Sequence, residues 1–151
     1  MDAETGKLIP VTDSSGSVIA GEWLLAAESV HRQLRPRLPD DYRSAMERVF
    51  AGGGRMVVVT DGQKVLGLAV WRVFADTFSG LKFYVDDLVI DEASRSQGAG
   101  HKLVAWLEQE ARTLGAGSIT LDSGTQRTRA HRFYFREGFV ITSFNFKKQL
   151  S

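Results

Sequence analysis

The stretch Arg95-Ser96-Gln97-Gly98-Ala99-Gly100 lies between an apolar run and an amphipathic run, and it decides the fold. The run before it, Phe83-Tyr84-Val85-Asp86-Asp87-Leu88-Val89-Ile90, predicts a buried strand. The run after it, residues 101–114, predicts a helix with one apolar stripe: Leu103, Val104, Leu107, Ala111 and Leu114. A glycine-rich turn that opens a helix leaves backbone amides unpaired, and these amides and the helix dipole attract phosphate. The sequence therefore predicts a phosphorylated ligand at this turn.

Three phosphate-binding motifs contain such glycines. A P-loop is excluded because the chain has no Gly-x-x-x-x-Gly-Lys-Ser/Thr run. A dinucleotide fingerprint needs a third glycine where Leu103 stands, although Asp122 lies at the distance expected of its ribose-binding acid. The chain after Gly100 is also too short to complete a doubly wound domain. The remaining candidate is Arg/Gln-x-x-Gly-x-Gly/Ala after a Val/Ile-rich strand.

Two stretches carry a family resemblance. Leu88-Val89-Ile90-Asp91-Glu92-Ala93-Ser94-Arg95-Ser96-Gln97-Gly98-Ala99-Gly100 resembles the acetyl-CoA pyrophosphate motif of the Gcn5-related N-acetyltransferase (GNAT) superfamily. Ala130-His131-Arg132-Phe133-Tyr134-Phe135-Arg136-Glu137-Gly138-Phe139 resembles its C-terminal element. The C-terminal half is also similar to aminoalkylphosphonate N-acetyltransferases. The resemblance implies that acetyl-CoA is the cosubstrate, bound along residues 88–90 and 95–100.

Composition limits the classes of function. A chain of 151 residues, 43% apolar, predicts a single domain over residues 1–151 with a sizeable core. The net charge of +1 gives no reason to expect a nucleic-acid partner. No apolar run is long enough to span a membrane, and the N-terminus lacks signal-peptide features, so we expect a cytoplasmic protein. The absence of cysteine excludes thiolate chemistry, and three scattered histidines predict no metal site. Relatives suggest a possible homodimer.

The periodicity along the chain predicts an α/β fold (an α+β mixed sheet) with helices on both faces. Predicted strands cover residues 7–11, 55–60, 64–74, 81–90 and 118–122, with one or two closing strands in 139–150. Predicted helices cover residues 22–34, 41–51, 101–114 and 129–137, and Asp40 is the expected N-cap of the second. The resemblance implies a GNAT-like acyl-CoA N-acyltransferase fold. In that fold, strands 81–90 and 118–122 run parallel and splay apart around acetyl-CoA.

Tyr134 is the candidate general acid. Its unperturbed pKa of about 10 suits proton donation to a departing thiolate. The resemblance implies the same role for the tyrosine of Tyr-x-x-x-Gly-Phe. The structural alternative is an aromatic side chain that packs its helix against the sheet.

Asp86 and Asp87 are the candidates for handling the amine, because two carboxylates in an apolar strand are costly unless they are paired or useful. Strand alternation sends them to opposite faces, but a bulge, common here in the family, would change that parity. Aminoalkylphosphonate enzymes have an acid at the place matching Asp87, and polyamine acetyltransferases have one matching Asp86. The alternative is a structural ion pair with Arg72, Lys82 or a helix residue.

Together with these residues, the resemblance implies an acetyl-CoA-dependent N-acetyltransferase that acts on the primary amine of a small molecule. Direct attack in a ternary complex is expected, because no cysteine can carry the acyl group. A protein lysine or N-terminal acetyltransferase and a non-catalytic acetyl-CoA-binding module are the alternatives. The acceptor pocket is expected from residues 22–51 and 74–80, where Arg35 could lie near an anionic substrate or at a solvated helix end.

Overall fold

The structure is a computed structural model that describes residues 6–95 and 97–151. The predicted ligand residue Ser96 lies outside the described residues. The chain divides into two compact units, Met1–Thr120 and Leu121–Ser151. The single domain over residues 1–151 stays a prediction.

A five-stranded sheet organises the first unit, in the order β1-β2-β3-β4-β5. The first four strands are antiparallel neighbours, and β5 forms the one parallel pair of the mixed sheet with β4. The strands are β1 (Lys7–Pro10), β2 (Arg55–Thr60), β3 (Val65–Asp76), β4 (Gly80–Ile90) and β5 (Ile119–Leu121). The turn between β2 and β3 is closed by Asp61, whose carboxylate accepts from the amides of Gln63 and Lys64. These strands match the five predicted at residues 7–11, 55–60, 64–74, 81–90 and 118–122, with ends that differ by two residues at most.

Helices cover both faces of the sheet, which confirms the predicted fold class. The N-terminal helices are α1 (Gly21–Ala26), α2 (Glu28–Leu34) and α3 (Tyr42–Ala51). Their buried side chains form one core with Met56, Val58, Leu68 and Val70. The opposite face carries α4 (Ala99–Leu114), where Leu103 Cδ1 would lie 3.3 Å from a Cβ placed on Gly67. Within the described ranges, no helix is long and apolar enough to cross a membrane.

Two N-terminal predictions need correction. Ala27 separates α1 from α2, so residues 22–34 do not form one helix; its amide contacts both the Trp23 and Leu24 carbonyls, which tightens the chain there. Asp41, not Asp40, caps α3, because its carboxylate accepts from the Ser44 amide three residues on. A run of two aspartates offers two possible caps, and spacing to the first amides selects between them.

The second unit contains α5 (Thr128–Arg136) followed by residues 137–151. The predicted closing strands are wrong for this structure: residues 139–150 are in no strand of the part that the structure describes. Val140, Phe144 and Phe146 are exposed there. Their β propensity alone does not make a strand, because a strand also needs a neighbour to complete its hydrogen bonds.

Candidate active site

A β-bulge in β4 sets the orientation of the two predicted acids. Val70 pairs with Asp87, and the next residue of β3, Trp71, pairs with Val85, so Asp86 is the extra residue. Val70 belongs to the core under α1–α3, whereas Trp71 contacts Trp106 of α4. In a regular strand Val85 and Asp87 would share a face. The bulge that the sequence analysis named as able to change this parity is therefore present, and it turns Asp87 toward the N-terminal helices.

Asp87 is held by two cationic or polar side chains from α2 and its end. His31 Nε2 lies 2.8 Å from Oδ2, and the Arg35 guanidinium lies 2.7 Å from Oδ1. Burial raises the pKa of Asp87, but its interactions with His31 and Arg35 outweigh burial. The pKa of this carboxyl therefore lies below its usual range, and Asp87 is a carboxylate at neutral pH.

The hydrogen bonds continue from His31 into the core. Its Nδ1 lies 2.8 Å from the Tyr42 hydroxyl, and both side chains are almost completely buried, at 1% and 2% exposure. Burial, followed by the nearby charges of Glu28 and Asp87, raises the pKa of Tyr42, so its phenol keeps its proton. With neutral imidazole, Tyr42 donates to Nδ1 while Nε2 donates to the Asp87 carboxylate. Every polar atom of this buried chain then has a partner.

Asp86 has a different environment. Arg72 donates to its Oδ2 from Nε at 2.8 Å and from a terminal nitrogen at 2.6 Å. The same arginine donates to the Gly52 carbonyl after α3. The ion pair between Asp86 and Arg72 is the structural alternative considered in the sequence analysis. Asp87 also fits that alternative, because it contacts His31 of α2 and Arg35 at the end of α2. The roles of Asp86 and Asp87 in amine chemistry stay predictions.

The glycine turn follows directly from β4. The strand ends at Ile90, a 3-10 turn covers Glu92–Ser94, and α4 begins at Ala99. Gly98 has a φ of 84°, the left-handed region that side chains rarely adopt, and among the described residues no further atom lies within 4 Å of its Cβ position. The first-turn amides of α4 have no carbonyl partner within the helix. This arrangement fits the diphosphate of coenzyme A, with an approach that no side chain of residue 98 obstructs.

The residues predicted to contact acetyl-CoA differ in how their side chains are placed. Val89 is buried in the core under α1–α3, so only its backbone is available to a ligand. Leu88 and Ile90 pair across β3 with Ala69 and Gly67. Arg95 and Gln97 are exposed beside the turn, and Gly100 is buried in α4. Binding of acetyl-CoA by these residues stays a prediction.

The parallel neighbour β5 covers only part of β4. The Thr120 hydroxyl donates to the Phe83 carbonyl at 3.3 Å, and β5 ends at Leu121. The longer strand β4 continues to Ile90. The splaying of the two strands around acetyl-CoA stays a prediction.

Tyr134 lies on α5 in the second unit. Its ring makes edge contacts with Phe133 and Phe139, with ring centres 5.6 Å apart in each case. Burial raises the pKa of Tyr134 and the charge of Arg127 opposes the rise, so the phenol is protonated at neutral pH. Nearby, His131 contacts the Gly124 carbonyl at 2.8 Å. The role of Tyr134 as general acid stays a prediction.

Sequence reasoning missed His31 and Tyr42. His31 was grouped with scattered histidines, although it is four residues before Arg35 and the two side chains meet on one carboxylate. That i, i+4 spacing was the available signal. Tyr42 has no such signal, because its pairing with His31 depends on how α2 and α3 pack. In the part of the chain that the structure describes, no group of three His, Asp or Glu could hold a metal ion.

Comparisons with known proteins bear on the family and the fold of this chain. The sequence profile of the acetyltransferase (GNAT) family matches residues 22–139. An aminoalkylphosphonate N-acetyltransferase of Salmonella typhimurium strain LT2 is 42% identical over 66 residues, which are 44% of this chain and 43% of that protein. The N-acetyltransferase YhdJ of Bacillus subtilis strain 168 is 41% identical over 70 residues, 46% of this chain and 49% of its own. The matched part thus spans about half the length of these curated relatives or less.

A solved structure supports the fold. AAC(6')-Iy, in complex with the bisubstrate analog CoA-S-monomethyl-acetylneamine, superposes with a TM-score of 0.81 at 15% identity, over 97% of this chain and 98% of that one. The family match covers well over half of the sequence and confirms the resemblance drawn from its two motifs. This chain belongs to the acetyltransferase (GNAT) family.

Proposed function

We propose that this chain is an acetyl-CoA-dependent N-acetyltransferase that transfers the acetyl group to the primary amine of a small molecule by direct attack. The observation that carries the proposal is the ionised carboxylate of Asp87, turned by the β4 bulge toward α2 on the strand that leads into the glycine turn. An anion for the acceptor and amides for the donor then belong to one continuous segment of chain.

Asp87 is suited to binding an ammonium ion rather than to keeping its proton. Its pKa is below the usual range, which makes it a weak base and a persistent negative charge. A carboxylate can accept about four hydrogen bonds, and Arg35 reaches Oδ1 from the solvent side, so Asp87 can accept an amine there while His31 stays bonded to Oδ2. In this proposal Asp87 orients the ammonium, and the proton leaves to solvent before the free amine attacks.

The transfer step balances without a protein nucleophile. The amine nitrogen forms a bond to the thioester carbonyl carbon, and the carbon–sulfur bond breaks. Tyr134 donates its phenolic proton to the departing sulfur and regains one from solvent, while the amine loses its extra proton. Burial supports this role because it keeps the phenol protonated at neutral pH.

Turnover of a panel of amines at fixed acetyl-CoA, followed by coenzyme A release, tests the proposal. The panel includes alkyl amines, aminoalkylphosphonates, an aminoglycoside and a lysine peptide. Turnover of a small amine, abolished in Gly98→Asp, is the expected result. Turnover of the peptide alone favours the protein-modifying alternative. Binding of acetyl-CoA without any turnover favours the non-catalytic module.

The proposal also includes an oligomeric state and a cellular location. A homodimer is expected in solution, and sedimentation velocity at micromolar concentration tests it. A cytoplasmic location is expected, and fractionation of the producing cell tests it. Neither outcome alters the assignment of Asp87 or Gly98.

A further inference from the structure

We propose that the acceptor amine carries an anionic group, and that Arg35 binds this group once the acceptor's ammonium has replaced Arg35 beside Asp87. The inference rests on the proposed function, because it names the substrate class of the same site. It assigns Arg35 to substrate recognition, in addition to its ion pair with Asp87.

The two partners of Asp87 differ in their freedom to move. His31 is 1% exposed and is itself bonded to the buried Tyr42, so it fixes Oδ2 from inside the core. Arg35 is 51% exposed, follows the last residue of α2, and reaches Oδ1 from the solvent side. Asp87 is only 13% exposed, but water reaches the Arg35 end of the pair and competes for its charge, so holding this exposed side chain in place contributes little net stability. A ligand can therefore displace Arg35, whereas the bond to His31 stays in place.

The charges around the bulge are balanced without a ligand. Arg72 neutralises Asp86 and is held by the Gly52 carbonyl, and Arg35 neutralises Asp87. An incoming ammonium adds one positive charge beside the Arg35 guanidinium. Two positive charges placed close together repel each other. An acceptor that has an ammonium but no anion therefore leaves the site with an excess positive charge. An acceptor that also carries an anion restores the balance.

The chemistry of Arg35 indicates the kind of anion. A guanidinium presents a planar set of donors that matches carboxylate, phosphonate or phosphate oxygens in pairs. Arg35 also donates to the Asp86 carbonyl at 3.1 Å, which keeps its head group beside the bulge. The acceptor class that fits is therefore a small zwitterion, with the amine and the anion separated by a short chain.

Paired acceptors of equal length test the inference. Each pair consists of an ω-amino acid or aminoalkylphosphonate and the amino alcohol or alkyl amine that lacks the anion. For wild type we expect a KM about ten- to a hundredfold lower for the zwitterion, as for other charge-assisted contacts. Comparison of the carboxylate with the phosphonate shows which anion is preferred.

Arg35→Gln should move the two KM values in different directions. The KM for the zwitterion should rise about ten- to a hundredfold, whereas the KM for the anion-free amine should stay unchanged or fall, because Asp87 has lost a competitor. Arg35→Lys should restore part of the preference, since it keeps the charge without the planar fork. Arg37→Gln, at an exposed arginine two residues away, is the matched control and should behave as wild type. Calorimetric titration of the zwitterion without acetyl-CoA should give the same ranking of variants.

Equal KM values for both members of every pair in wild type would overturn the inference while leaving the acetyltransferase intact. A parallel rise of both KM values in Arg35→Gln would also overturn it, because that pattern indicates a structural role. If Arg35→Gln does not fold, Arg35→Lys and the wild-type comparison decide the question. Absence of turnover on every amine contradicts the proposed function instead, so the two failures are distinguishable.

Discussion

Replacing Asp87 by asparagine separates its contribution to folding from its contribution to acceptor binding. The amide oxygen can still accept from His31 Nε2, but the charge is lost and the amide nitrogen faces the Arg35 guanidinium. Arg35 is half exposed and can turn into water, so the main loss is one charge-assisted hydrogen bond. Such a bond contributes about 1.5–3 kcal/mol to the free energy of unfolding. For a domain of this length the melting temperature should fall by about 3–12 °C.

The stability lost in Asp87→Asn should depend on pH and should become smaller at acidic pH. The pKa of Asp87 in the folded protein is below that of an unfolded aspartate, about 3.9. The carboxylate's contribution to stability is therefore complete above that pH, and it disappears as the pH falls through the lower folded-state pKa. The gap between wild type and Asp87→Asn should be constant from about pH 5 to 8 and should narrow below about pH 4.

Urea unfolding across this pH range measures the gap, and coenzyme A release measures the KM for the amine. We expect the KM to rise about tenfold or more, because the ammonium loses its counter-ion. Asp86→Asn is the matched control: its partner Arg72 is partly exposed, so the loss should be within about 1 kcal/mol. Equal stability of Asp87→Asn and wild type at pH 7, with an unchanged KM, would refute the reasoning.

Three further substitutions address the other parts of the site. Gly98→Asp should abolish measurable coenzyme A binding in calorimetry, because a side chain at φ 84° is strained and its charge repels the diphosphate; wild-type affinity would contradict the assignment of the turn. Tyr134→Phe should lower kcat about a hundredfold to ten-thousandfold with coenzyme A affinity unchanged, and full turnover would make Tyr134 a packing residue. Tyr42→Phe should lower the free energy of unfolding by about 1–3 kcal/mol in urea, because it leaves Nδ1 of His31 buried without a donor; a loss below about 0.5 kcal/mol would show that water replaces the phenol.

Local sequence predicted most elements of the first unit, because each carries its own signal. Runs rich in apolar and β-branched residues marked β2 to β4. The glycine turn was predicted, whereas its left-handed Gly98 and the start of α4 at Ala99, two residues before the predicted start, were seen only in the structure. Element ends were less predictable: two adjacent aspartates before α3 are equal candidates until the Ser44 amide selects Asp41. The strand prediction for residues 139–150 was wrong for a related reason: strand propensity does not specify which neighbouring strand completes the hydrogen bonds.

The candidate site was predictable only in part, because its partners come from distant positions in the chain. The motif located Asp86 and Asp87, but spacing could not show which acid meets which cation. That outcome depends on the extra residue in β4 and on the approach of α2, 56 residues earlier for His31. Buried hydrogen bonds between such distant residues leave no periodic pattern in the sequence. Only the packed structure therefore shows that Asp87 contacts His31 in the core and that Asp86 contacts Arg72.

Helix α2 connects the acceptor side of the proposed site to its donor side. His31 and Arg35 hold Asp87, while Gln33 donates to Asp91 at 2.9 Å and accepts from the Glu92 amide at 3.0 Å. Asp91 and Glu92 begin the segment that leads from β4 to the glycine turn. A shift of this short helix would therefore move the carboxylate and the start of the turn together. Direct attack needs the amine and the thioester closely aligned. If the acceptor binds at Asp87 and acetyl-CoA at the glycine turn, as proposed, these contacts of α2 are the link between the two binding positions.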